Sequence, residues 1–142
     1  MRNPLFAAFA AVAFLSAGSV SAEILHYTAK LDGASETPPN ASKGTGEADI
    51  TLDSESMMLM WKVTYGGLTG PATMAHFHGP AAMGSAAGVQ IPLKGSVASP
   101  ISGMATLNDG QIGDLRGGLW YLNIHTSANP GGEIRGQVLA AH

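Results

Sequence analysis

The chain has 142 residues, no cysteine, and seven Lys and Arg against ten Asp and Glu. The missing cysteines exclude disulfides, thiolate zinc sites, iron–sulfur clusters and cysteine nucleophiles. The net charge of −3 makes nucleic acid and anionic membrane poor partners.

The first 22 residues read as a signal peptide. Arg2 supplies a positive start, and residues 5–15 form an apolar run without charge. Small residues follow, and Val20-Ser21-Ala22 fits the small-x-small rule, so cleavage is expected after Ala22. An uncleaved anchor is the rival, but the run is shorter than the roughly 20 apolar residues a spanning helix needs. Residues 23–142 then form one domain, exported to the periplasm or secreted. Losing Arg2 leaves six Lys and Arg against ten Asp and Glu. No later segment is apolar enough to span a membrane.

Beyond residue 23 the apolar pattern has period two, broken by Gly, Pro, Asn and Asp. It predicts about eight antiparallel strands, near 24–31, 46–53, 57–65, 72–79, 88–94, 101–107, 118–126 and 132–139. Side chains two apart share a face. Leu25, Tyr27, Ala29 and Leu31 therefore point inward together, as do Ala48, Ile50 and Leu52. Met57, Leu59, Trp61, Val63 and Tyr65 make a third inward stripe after a turn at 53–56. Trp120, Leu122 and Ile124 make another, leaving Tyr121, Asn123 and His125 on the opposite face. One-sided strands must pair two sheets or close on themselves. The fold class expected is all-β, an antiparallel immunoglobulin-like β-sandwich or Greek-key barrel. Residues 32–45 and 79–88 are long loops, and such loops often carry function.

Ala75-His76-Phe77-His78-Gly79-Pro80 is the segment richest in chemistry. On a strand His76 and His78 share one face while Phe77 enters the core. His125 lies on the corresponding face of its own strand. If the two strands are neighbours, three imidazoles converge on one transition metal (Cu, Fe or Zn) with a coordination position open. Without a metal, the same histidines would tie the 79–88 loop to the sheet. Met74 shares the face of His76 and His78, and Met83 lies in the loop; thioether sulfur suits Cu(I), though methionine is more often a gap-filler. His26 and His142 read as surface residues.

Residues 129–132, Asn-Pro-Gly-Gly, are turn chemistry joining the last two strands. Beyond them Glu133, Arg135 and Gln137 share the face of His125. Glu133 is expected to accept a proton from a ligating imidazole, Arg135 to hold an anion, and Asn123 to support the metal or the anion beside them. The simpler alternative is a Glu–Arg pair that only braces the sheet.

Residues 75–81, 101–103, 121–126 and 129–137 together resemble the CHRD (chordin) domain family, whose pattern spans the chain from about Leu25 to its end. Members occur singly in exported bacterial proteins and as repeats in an animal extracellular antagonist. The resemblance implies an extracellular or periplasmic β-domain and no defined activity. His-x-His on a small β-barrel is also similar to copper-zinc superoxide dismutases. Only His76 and His78 match, and the disulfide cysteines and histidine-rich zinc loop are absent. That likeness implies redox chemistry of the superoxide type.

No nucleophile elbow, phosphate-binding loop, His-Glu-x-x-His, paired carboxylates or calcium loop occurs, and no catalytic residue is assigned. Two functions compete: a metal-binding domain using His76, His78 and His125, and a non-catalytic module whose loops bind an extracellular protein or glycan.

Overall fold

The computed structural model describes residues 17–19 and 21–142; most of the expected signal peptide lies outside the described residues. Nine strands and one short helix make up the domain. They are β1 (Ile24–Asp32), β2 (Thr45–Asp53), β3 (Met58–Gly66), β4 (Ala72–His78), β5 (Val89–Pro92), β6 (Ile101–Thr106), α1 (Asp109–Arg116), β7 (Tyr121–Thr126), β8 (Ile134–Gln137) and β9 (Leu139–Ala140). Every pairing is antiparallel, in the order β5-β4-β7-β8-β1-β2-β3-β6, with β9 also on β1. The path curls into a nearly closed barrel, one of the two closures expected from the sequence.

The inward stripes form the core. Tyr27, Ala29, Leu31, Ala48, Ile50, Leu52, Leu59, Trp61 and Val63 are buried, together with Phe77, Trp120, Leu122 and Ile124. Phe77 is the hub: Trp61 meets it edge-on at 5.4 Å, and Trp120 lies 5.9 Å from it, ring centre to ring centre. Met57 departs from the expected stripe. Its φ of 60° puts it in the hairpin turn, and β3 begins one residue later. The last predicted strand is also split: Val138 breaks the ladder, so β8 pairs with β7 while β9 reaches β1.

The helix α1 is the element the periodicity does not announce. Two glycines, Gly110 and Gly113, each weaken a helix by about 1 kcal/mol relative to alanine, and only Leu115 is fully buried. It is held by its start. Asn108 Oδ1 accepts from Gln111 N at 2.9 Å, while Gln111 Oε1 accepts from Asn108 N at 3.0 Å. This capping box satisfies two amides that the first turn leaves unpaired.

β7 positions the site. All six of its residues are buried, although alternation makes only half of them core. Ile124 and Leu122 face the barrel interior. Tyr121, Asn123 and His125 face outward and are covered by the loops after β1 and β4. β4 lies beside it, pairing Met74 with His125, His76 with Asn123 and His78 with Tyr121.

Candidate metal centre

Because β4 and β7 are neighbours, their outward faces bring three histidines together. One ring nitrogen from each of His76, His78 and His125 lies within 4.8 Å of the others. His78 and His125 are buried and His76 is half-buried. His76 Nδ1 is 3.1 Å from His125 Nε2.

Two of the rings are anchored by backbone carbonyls. His125 Nδ1 donates to Pro130 O at 2.8 Å, and His78 Nδ1 donates to Ala87 O at 3.0 Å. A carbonyl can only accept, so both Nδ1 atoms carry the proton and both Nε2 atoms carry a lone pair in the neutral rings. Those Nε2 atoms turn toward one point, 2.9 Å and 3.0 Å from Asn123 Oδ1. Burial pushes His76 below the ordinary histidine pKa, and the neighbouring His125 and His78 push it further. Burial also lowers His78, opposed by its bond to Ala87 O and by the Asn123 oxygen beside its ring. Neutral imidazole is the form that ligates a metal.

The 79–88 loop is stitched over this face. Tyr121 Oη donates to Ala87 O and accepts from Ala87 N, both at 3.1 Å. The Tyr121 ring stacks parallel to His78 at 4.8 Å. Arg135 places its guanidinium 3.5 Å from the centre of the same ring. Its nitrogens donate to Thr37 Oγ1 at 3.0 Å and Ala82 O at 3.3 Å. Arg135 thus clamps both loops to the sheet; neither partner is an anion.

Glu133 does not have the partner expected of it. It is fully buried and accepts from Ser42 Oγ, Thr126 Oγ1 and Asn129 Nδ2 at 2.9 Å, from Thr69 N at 3.0 Å, and from Thr69 Oγ1. Backbone carbonyls take the imidazole protons instead. Nor does Glu133 pair with Arg135. Burial pushes its pKa up, but the donors from Thr69, Thr126 and Ser42 outweigh that and hold it down at about 2. It is a hub that ties three loops to the end of β7.

Met74 lies opposite His125 with its side chain about half exposed, and Met83 is exposed on the loop. The residue that sequence reasoning missed is Glu36. It is buried at the foot of the β1–β2 loop, and burial pushes its pKa up despite the Thr37 amide and Arg135. A Cβ added at Gly132 would clash with Glu36 Oε1 and with Asn123 Nδ2, so the two groups share one small space. Only the length of its loop hinted at a role. Beside it a groove of about 920 Å³ opens, with Lys30, Glu36, Arg135, Met83 and Leu139 in its walls.

The CHRD domain model matches residues 27–138, from within β1 through β8, and includes every residue of the histidine site. This chain belongs to the CHRD domain family. A relative of this CHRD domain is chordin from Xenopus laevis, 34% identical over 116 residues, or 76% of the chain. That stretch is 12% of chordin's length, so the CHRD chain corresponds to a small part of that protein. No solved structure matches this CHRD domain. Among the described residues no helix is long and apolar enough to cross a membrane.

Proposed function

We propose that this CHRD domain is an exported protein that binds one transition-metal ion, Cu, Fe or Zn, through His76, His78 and His125. The observation that carries this is the proton bookkeeping of the site. Carbonyls commit the Nδ1 protons of His78 and His125, leaving two Nε2 lone pairs that share a cluster with His76 Nδ1 within 4.8 Å. Anchoring of one ring nitrogen by a hydrogen bond is the usual way a metal-ligating histidine is oriented. Three imidazoles leave a position for water or substrate. With copper or iron there, superoxide-type redox chemistry is the activity to assay. The N-terminal 22 residues support export, to the periplasm or outside the cell.

The test is elemental analysis of protein purified from its exported compartment, without chelators or a histidine tag. The expected result is about one equivalent of Cu, Fe or Zn, lost in the His76→Ala/His78→Ala variant. Protein that is metal-free, and that takes up no added Cu²⁺, Fe²⁺ or Zn²⁺, overturns the proposal.

The groove beside Glu36 and Arg135 favours a second reading, a binding module for an extracellular protein or glycan. On that reading the histidines only hold the 79–88 loop. Their replacement then loosens the loop and changes partner binding, whether or not metal is added.

A further inference from the structure

Asn123 Oδ1 sits where the metal reading requires electron-rich atoms, at the junction of two imidazoles. It lies 2.9 Å from His125 Nε2 and 3.0 Å from His78 Nε2. Both nitrogens carry lone pairs, because each ring's proton is on Nδ1 and donated to a carbonyl. An amide oxygen also only accepts. Oδ1 therefore meets a lone pair of each neutral ring, an arrangement that a cation among the three atoms turns from repulsive to attractive.

Resting on the metal site proposed above, we infer that Asn123 is a fourth ligand through Oδ1, and that Glu36 is the positioning residue that turns its amide so. The spacing fits. Metal bonds of about 2.0–2.1 Å, at angles between square and tetrahedral, separate adjacent donors by about 2.9–3.4 Å. The chain of contacts from His76 Nδ1 to His125 Nε2, Asn123 Oδ1 and His78 Nε2 runs 3.1, 2.9 and 3.0 Å.

The orientation of the amide is decided at its other end. Asn123 Nδ2 faces Gly131 O at 3.5 Å and the carboxylate of Glu36, and both can accept. Glu36 is 5% exposed, and its Oε1 has no hydrogen-bond partner. A buried oxygen of this kind needs a donor, and Asn123 Nδ2 is beside it. Gly132 makes room for the two groups. Its φ of 128° suits glycine, and a Cβ there would fall 2.7 Å from Asn123 Nδ2 as well as against Glu36. With Nδ2 on the Glu36 side of the amide, Oδ1 is left toward the imidazoles. Three imidazole nitrogens and one neutral amide oxygen suit divalent Zn, Fe, Co or Cu better than soft Cu⁺.

Co²⁺ is the probe, because its visible spectrum and affinity both report on the donor set. Asn123→Leu and Glu36→Leu are each expected to weaken Co²⁺ binding about 10- to 100-fold and to change the spectrum. Glu36→Gln, which keeps an acceptor oxygen, should restore binding to near the wild-type level. The swapped pair Asn123→Asp with Glu36→Gln exchanges amide and carboxylate, and should bind Co²⁺ at least as tightly as wild type. Wild-type affinity and spectrum in both leucine variants overturn the inference while leaving the three-histidine site standing. If the leucine variants fail to fold, the swapped pair decides: weaker binding than in Glu36→Gln overturns it. Wild-type protein that takes up no Co²⁺, Zn²⁺ or Cu²⁺ removes the metal reading itself.

Discussion

Glu133 shows how much one side chain can hold when every lone pair is satisfied. Its carboxylate collects donors from residues 42, 69, 126 and 129, three separate loops gathered at the end of β7. The drop from an ordinary 4.5 to about 2 corresponds to about 3 kcal/mol of stability at neutral pH. The sign follows from the depressed pKa. The unfolded chain binds the proton first, so this stability is complete above about pH 4.5 and drains away as pH falls toward 2. Glu133→Gln places an amide donor among donors and loses the charge. Urea unfolding should find the variant about 2–4 kcal/mol less stable at pH 7, with the gap to wild type narrowing by pH 3. A gap that stays constant with pH would show that the carboxylate charge is not what binds the loops. The sequence pointed to Glu133 as a partner of an imidazole, since it shares a strand face with His125. What it could not show is that the 126–132 turn presents Pro130 O to His125 first. Glu36 was hidden for a similar reason: its importance comes from Asn123, 87 positions away, and no local spacing records that contact.

At the scale of elements, the site is made by a strand pair and a loop laid across it. β4 sends Phe77 inward and His76 and His78 outward, and β7 does the same with Leu122, Ile124 and Asn123, His125. The loop enters through Ala87, whose carbonyl orients His78 and whose N–H and C=O both meet Tyr121 Oη. Tyr121→Phe removes the clasp and leaves the ring stack with His78. The expected loss of global stability is about 1 kcal/mol. Hydrogen exchange of residues 85–88 should rise well beyond that, and metal affinity should fall about tenfold as Ala87 O loosens. Unchanged exchange in the loop would mean that Arg135, through Ala82 O, is sufficient to hold it. The strands themselves were readable because period-two alternation is a local signal. Residues 121, 123 and 125 were readable as a face but not as a buried one, since what covers them arrives from distant loops. Helix α1 was concealed by its glycines, even though its capping residues Asn108 and Gln111 stand three apart in the sequence.

For the whole molecule, the choice between sandwich and barrel depends on pairings between distant segments, β4 with β7 and β8 with β1. Alternation says which side of each strand is apolar; it does not say which strand lies next to which. Those pairings make one cooperative unit in which the barrel core and the outer histidine face share the same two strands. Phe77, packed on Trp61 and Trp120, is fully buried between the two site histidines. Phe77→Ala should cost about 3–5 kcal/mol through lost contact and the cavity left behind. A metal that binds only the folded barrel adds stability by mass action, about 2.7 kcal/mol at a free concentration 100 times its Kd. Adding such a metal should therefore recover much of the melting temperature lost in Phe77→Ala, although the ion touches no core atom. The same addition should do nothing for His76→Ala/His78→Ala, whose core is intact and whose ligands are gone. Thermal unfolding of wild type and the two variants, each with and without metal, checks this. If the metal binds wild type yet fails to rescue Phe77→Ala, the outer face and the core do not fold as one unit.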